Sequence, residues 1–128
     1  MIERIFTPGA PAPRGPYSPA VRAGDFIFVS GQASIDPVTG KPILGDIRQE
    51  TRQTLNNIKA NLEGCGASMA DVVRCGVFLT DIRDFAAMNE VYAEFFGETK
   101  PARTTVGAAL LPLAGAKVEI DAVAYKPR

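Results

Sequence analysis

Only two stretches of this chain repeat apolar residues at helical spacing, and that shortage decides most of what it can fold into. Ile47, Thr51, Leu55, Ile58 and Leu62 make one stripe; Phe85, Met88, Tyr92, Phe95 and Phe96 make the other. The remaining apolar runs are short and rich in β-branched and aromatic residues: Phe26 to Gln32, Val72 to Thr80, Arg103 to Leu110, and Lys117 to Tyr125. In the last of these, Val118, Ile120, Ala122 and Ala124 alternate with Lys117, Glu119, Asp121, Val123 and Tyr125, the period of a strand. The order reads β-β-α-β-α-β-β, with a further strand accommodated near the N-terminus. An α+β chain follows, in which two helices cover one face of a single sheet. The second face is left short of cover although it also carries apolar or small residues, among them Val123, Thr105, Gly107 and Ala109. Association between subunits is therefore expected to bury it, and the pattern does not set their number.

Local signals bound these elements. Asp46 with Gln49 resembles a capping box at the start of the first helix, which is expected to end near Gly64 or Gly66. Gly97 and Pro101 terminate the second, Ser68 begins a short turn, and Asp36 to Gly40 supplies another. Pro8 to Ala20, PGAPAPRGPYSPA, holds too many prolines for a regular helix. The 128 residues, 46% of them apolar, suit one domain spanning the whole chain.

Composition removes whole classes of chemistry. With no histidine, the commonest general base and the commonest metal ligand are both missing, so serine triads, HExxH zinc sites and zinc nucleobase deaminase motifs are excluded. No GxxxxGK[ST] loop is present for nucleotide phosphates. Cys65 and Cys75 lack CxxC spacing and suit reduced intracellular thiols, so neither a metal nor a cofactor is expected. Fourteen basic residues balance fourteen acidic ones, which argues against nucleic acid or a membrane surface as partner. MIERIF leads into proline and glycine rather than a long apolar run, so a cytoplasmic location is expected.

Four segments in order carry a resemblance that single motifs would not. GPYSPA from Gly15, FVSGQ from Phe28, QTLNNIKANLEGCG from Gln53, and PARTTV from Pro101 with KVEI at Lys117 to Ile120 resemble the RidA/YjgF family of reactive-intermediate deaminases. The likeness spans nearly the whole chain. It implies a chorismate-mutase-like fold and a homotrimer whose sheets face inward, with three clefts between adjacent subunits. It also implies hydrolysis of 2-imino or enamine acids to 2-keto acids and ammonia, as by a 2-iminobutanoate/2-iminopropanoate deaminase. The family's carboxylate-binding arginine falls on Arg103 and its water-directing glutamate on Glu119. Tyr17, Ser30, Gly31 and Asn89 fall on cleft-lining positions. Thr105 stands where many relatives have a cysteine whose backbone helps hold the ligand; a backbone role survives that change and thiol chemistry does not.

Elementary chemistry supports these roles, and each has a plainer competitor. A protonated 2-imino acid is already electrophilic, so the protein need only orient substrate and water. Arg103 offers a planar fork for a carboxylate, or makes a structural ion pair. Glu119 takes a proton from water and returns one to departing ammonia, or is a solvated carboxylate on an exposed strand face. Tyr17 contributes a hydroxyl to the cleft, or only an apolar plug. Ser30 and Gly31 let the backbone approach a ligand, or mark a strand bulge. Two rivals from other classes are an RNA-directed translation inhibitor or endoribonuclease, and a non-enzymatic small-ligand sensor or chaperone.

Overall fold

The computed structural model describes every residue from Met1 to Arg128. One six-stranded sheet runs through the chain, in the order β1-β2-β3-β6-β4-β5. Its strands are β1 (Ile2–Ile5), β2 (Ala20–Ala23), β3 (Phe26–Gln32), β4 (Val72–Leu79), β5 (Ala102–Gly107) and β6 (Val118–Tyr125). The accommodated N-terminal strand is thus present. The sheet is mixed: β4 and β5 run parallel, and every other neighbouring pair is antiparallel.

Connectivity explains why both helices, α1 (Ile47–Gly64) and α2 (Phe85–Phe96), lie on one face. Strands β3 and β4 are each antiparallel to β6, hence parallel to one another, so α1 is their crossover; α2 is the crossover from β4 to β5. Both connections step the same way across the sheet. The one handedness favoured for such crossovers then puts both helices on the same side. The last strand, β6, fills the gap left between β3 and β4.

The Asp46 capping box forms as expected, with its carboxylate accepting from the Gln49 amide and the Gln49 side chain accepting from the Asp46 amide. Leu55, Ile58 and Leu62 of α1 are fully buried against Ile27, Val77, Val118 and Ile120 of the sheet. Side chains of this kind contribute about 1.5–3 kcal/mol each on burial, so truncation at Leu55 alone removes a large share of a small fold's stability. Helix α2 ends at Gly97, whose φ of 53° few other residues adopt readily.

The open face is correct in kind and wrong in one strand. Val123, Phe28, Phe26 and Tyr125 do lie on it. Thr105 and Gly107, however, pair with Val77 and Leu79 and so face the helices; Thr104 and Val106, beside Gly76 and Phe78, are the residues of β5 on the open side. Ala109 lies past the end of β5. Strand faces alternate residue by residue, and consecutive threonines give no polarity by which to choose between them.

Candidate functional site

The open-face half of the site is built around a bulge. Pairing between β3 and β6 slips between Val29 and Gln32, with Ser30 and Gly31 in the slip. Opposite it, Glu119 shares the open face with Phe78 while its neighbours Val118 and Ile120 point into the core. Its carboxylate lies across Gly31 so closely that a β-carbon there would sit 2.5 Å from Oε2. Only glycine admits the carboxylate at that place.

Glu119 accepts no hydrogen bond from the chain, and its carboxyl is held above the ordinary glutamate range, first by burial and then by the Asp121 charge. It forms one wall of a cleft of about 480 Å³ whose other walls include Tyr17, Arg14 and Gln32. The proline-rich segment supplies Tyr17, and Ser30 fastens that segment down. Ser30 Oγ donates to the Ser18 carbonyl at 2.6 Å and its amide to the Pro19 carbonyl at 2.9 Å. Tyr17 bends back so that its phenol oxygen accepts from the Arg14 amide at 3.1 Å. The Ser30 hydroxyl therefore holds the loop rather than facing the cleft.

Arg103 lies elsewhere. It pairs with Cys75 on the helix side of the sheet, and its guanidinium carbon stands 4.7 Å from the centre of the Tyr92 ring and 5.5 Å from that of Phe85. No carboxylate comes within ion-pair distance, which removes the structural ion pair as its explanation within the chain. Buried polar atoms without an aligned partner occur on the same two elements: Asn89 Oδ1 and Tyr92 OH on α2, and Thr105 Oγ1 two residues along β5 from Arg103. An unpaired guanidinium offers the chemistry an anion requires. Burial pushes the neighbouring Cys75 thiol up to about 11, and burial likewise raises Tyr92.

The chain thus sorts the expected residues into two groups. Tyr17, Gly31 and Glu119 meet at the open-face cleft with Ser30 bracing them; Arg103 and Thr105 share the helix-side face of β5, and Asn89 lies on α2 between Phe85 and Tyr92, the rings that Arg103 touches. Sequence reasoning missed a third group that braces the first. Glu50, fully buried on α1, accepts from the Lys117 amide at 2.8 Å and the Gly45 amide at 3.2 Å, and Lys117 Nζ approaches it at 3.4 Å. Asn57 Nδ2 donates to the carbonyls of Ala33 and Ile35, at 3.0 and 2.9 Å, behind the cleft wall. Glu50, Thr54, Asn57 and Asn61 follow one another at helical spacing, a polar stripe whose period is visible in the sequence and whose burial is not. No three of the carboxylates and thiols come together to hold a metal ion, and no helix is long and apolar enough to cross a membrane.

Comparison with known proteins identifies the relatives of this chain. The model of the family described as Endoribonuclease L-PSP matches residues 7–126. A RutC family protein of Pyrococcus horikoshii is 56% identical over 126 residues, 98% of this chain and 99% of that protein. A protein of Dermatophagoides farinae named 2-iminobutanoate/2-iminopropanoate deaminase is 45% identical over 119 residues, 93% of this chain and 92% of that one. Among solved structures, RidA from the Antarctic bacterium Psychrobacter superposes with a TM-score of 0.92 at 41% identity, over 96% of this chain and 98% of its own. The chain belongs to the RidA/YjgF family.

Proposed function

We propose that this protein hydrolyses 2-imino and enamine acids to 2-keto acids and ammonia, at sites where Arg103 of one copy faces Tyr17 and Glu119 of the next in a homotrimer. The observation that carries the reading is the split itself: the anion-binding half-site and the carboxylate cleft stand on opposite faces of one sheet. Neither half can act on one small substrate alone. The uncovered face, with Phe26, Phe28 and Tyr125 each more than two-fifths exposed, favours the association that joins them.

Arg103 holds the substrate carboxylate by two parallel hydrogen bonds, its rings keeping the fork in plane. The iminium carbon then lies beside a water over Glu119. The carboxylate takes a proton as water's oxygen bonds to carbon, giving a carbinolamine. Glu119 next protonates the amine nitrogen; the C–N bond breaks, ammonia leaves, and the hydroxyl gives up its proton as the keto group forms. The proton brought in on the iminium leaves as ammonium. A raised Glu119 carboxyl suits a group that must both take and return a proton near neutrality. The sites need no cofactor for this sequence of steps.

Subunit mixing tests both the chemistry and the shared site. Arg103→Ala and Glu119→Gln are each expected to lose roughly 10²-fold or more in turnover of a freshly generated 2-imino acid. Co-refolded in equal amounts, they regain about one quarter of wild-type activity, because random assembly joins an intact Arg103 to an intact Glu119 at that share of interfaces. No recovery would place both residues in one subunit's site or neither. RNA cleavage by wild type that both substitutions leave untouched, without imine turnover, would replace the deaminase by the RNA-directed alternative.

A further inference from the structure

The open-face cleft holds one cation that the proposed chemistry does not use. Arg14 is the only basic residue lining it and Glu119 the only acidic one; between them lie Pro11, Pro13, Pro42 and Leu113. Arg14 is tethered at both ends. Its amide donates to the Tyr17 phenol at 3.1 Å and its Nη1 to the Gly40 carbonyl at 3.0 Å, so the side chain spans from the proline-rich segment to the turn that Gly40 closes. One donor of the fork is used by that tether and the rest are left, with no carboxylate at ion-pair distance.

We propose that Arg14 is a specificity residue that receives a second anionic group, making 2-imino acids with a carboxylate at the far end of the side chain preferred substrates. This rests on the deaminase reading. Each charge of such a substrate then meets its complement: the carboxylate beside the imine on Arg103 of a neighbouring copy, the iminium on Glu119, the distal carboxylate on Arg14. An arginine set among Pro11, Pro13, Pro42 and Leu113 gains nothing from an alkyl side chain, whereas a carboxylate pairs with it bidentately.

The test compares 2-iminoglutarate with 2-iminopentanoate, generated in place from glutamate and norvaline, which have equal carbon number and differ in the distal carboxylate. The ratio of kcat/KM for the diacid to that for the monoacid is expected to fall about 10-fold in Arg14→Met, mainly through KM, and to recover partly in Arg14→Lys. Calorimetric titration with the product pair, 2-oxoglutarate and 2-oxopentanoate, reads the same contact without turnover. The diacid is expected to bind wild type more tightly and to lose that advantage in Arg14→Met. An unchanged ratio in kinetics and in binding would overturn the assignment of Arg14. Absence of turnover for both imines, with the binding preference intact, would instead overturn the deaminase reading while leaving the distal anion site standing.

Discussion

Two glutamates and two arginines flank the same sheet, and in each pair one residue has several hydrogen-bond partners while the other is bare. Glu50 is fully buried yet accepts from two backbone amides and approaches a lysine. Glu119 begins only two residues after Lys117, is half-buried, and accepts nothing. Arg22, nearly inaccessible, donates to the carbonyls of Gly24, Cys65 and Lys126, tying β2, the end of α1 and the C-terminal segment together. Arg103 rests on two aromatic rings. Charges that serve the fold are given their hydrogen bonds inside the chain, because leaving them without costs several kcal/mol. On the proposed function the bare pair is where a ligand's charges are received, and substitution should separate the pairs cleanly.

The largest expected effect falls on the bare arginine. Arg103→Lys keeps the charge but replaces the fork with a point, so it cannot make two parallel bonds or lie flat against Tyr92 and Phe85. Losing a charge-assisted contact costs about 1.5–3 kcal/mol, and misplacing the reacting carbon adds to that. We expect roughly 10²-fold lower kcat/KM, close to that of Arg103→Ala, with the assembled protein intact by sedimentation. Lysine activity within a few-fold of wild type would leave long-range attraction sufficient.

Stability should divide the glutamates the other way. Glu50→Ala strands the Lys117 and Gly45 amides in the interior and is expected to cost about 3 kcal/mol in denaturant unfolding. Glu119 carries the opposite sign. Its folded carboxyl lies above the unfolded value, so its contribution is fully present below the unfolded pKa and is lost as pH rises through the folded pKa. Above its folded pKa it adds nothing to stability, and Glu119→Gln should unfold no more easily than wild type there while losing activity. Equal destabilisation by the two substitutions would dissolve the distinction between partnered and bare.

The same contrast marks what was legible in the sequence. The Asp46 capping box, the glycine stop of α2 and the alternation of β6 are local signals, and each appears as expected. The face of Glu119 followed from that alternation. The face of Arg103 did not, because Thr104 and Thr105 offer no polarity and the pairing with β4 decides it. Nor did the separation of Arg103 from Glu119, which depends on β6 inserting between β3 and β4 from the far end of the chain. The stripe of Glu50, Thr54, Asn57 and Asn61 was hidden for a different reason: polar residues at helical spacing ordinarily mark a solvent face, and here Glu50 and Asn57 turn inward to bond backbone groups beyond the helix.

The smallest effect expected is a titration, and it isolates a single cause. Asp121 stands two residues along β6 from Glu119 on the same face; its carboxylate accepts from the Gly76 amide at 2.8 Å and lies 4.0 Å from Arg74. It is the second cause, after burial, of the raised Glu119 carboxyl. Asp121→Asn keeps an oxygen for the Gly76 amide and deletes only the repelling charge. Removing a negative neighbour favours ionised Glu119, so its pKa falls. If the carboxylate form is what accepts water's proton, activity declines as pH drops through that pKa, and the acid limb of the kcat/KM profile moves to lower pH in the variant. Because both groups are partly exposed, the move should be a fraction of a pH unit and should shrink as salt is added, the Debye length falling from roughly 30 Å at 0.01 M to about 3 Å at 1 M. Burial is untouched, so the limb still lies above that of an ordinary glutamate. A limb that stays fixed at low salt, or moves upward, would mean that the titrating group governing turnover is not Glu119.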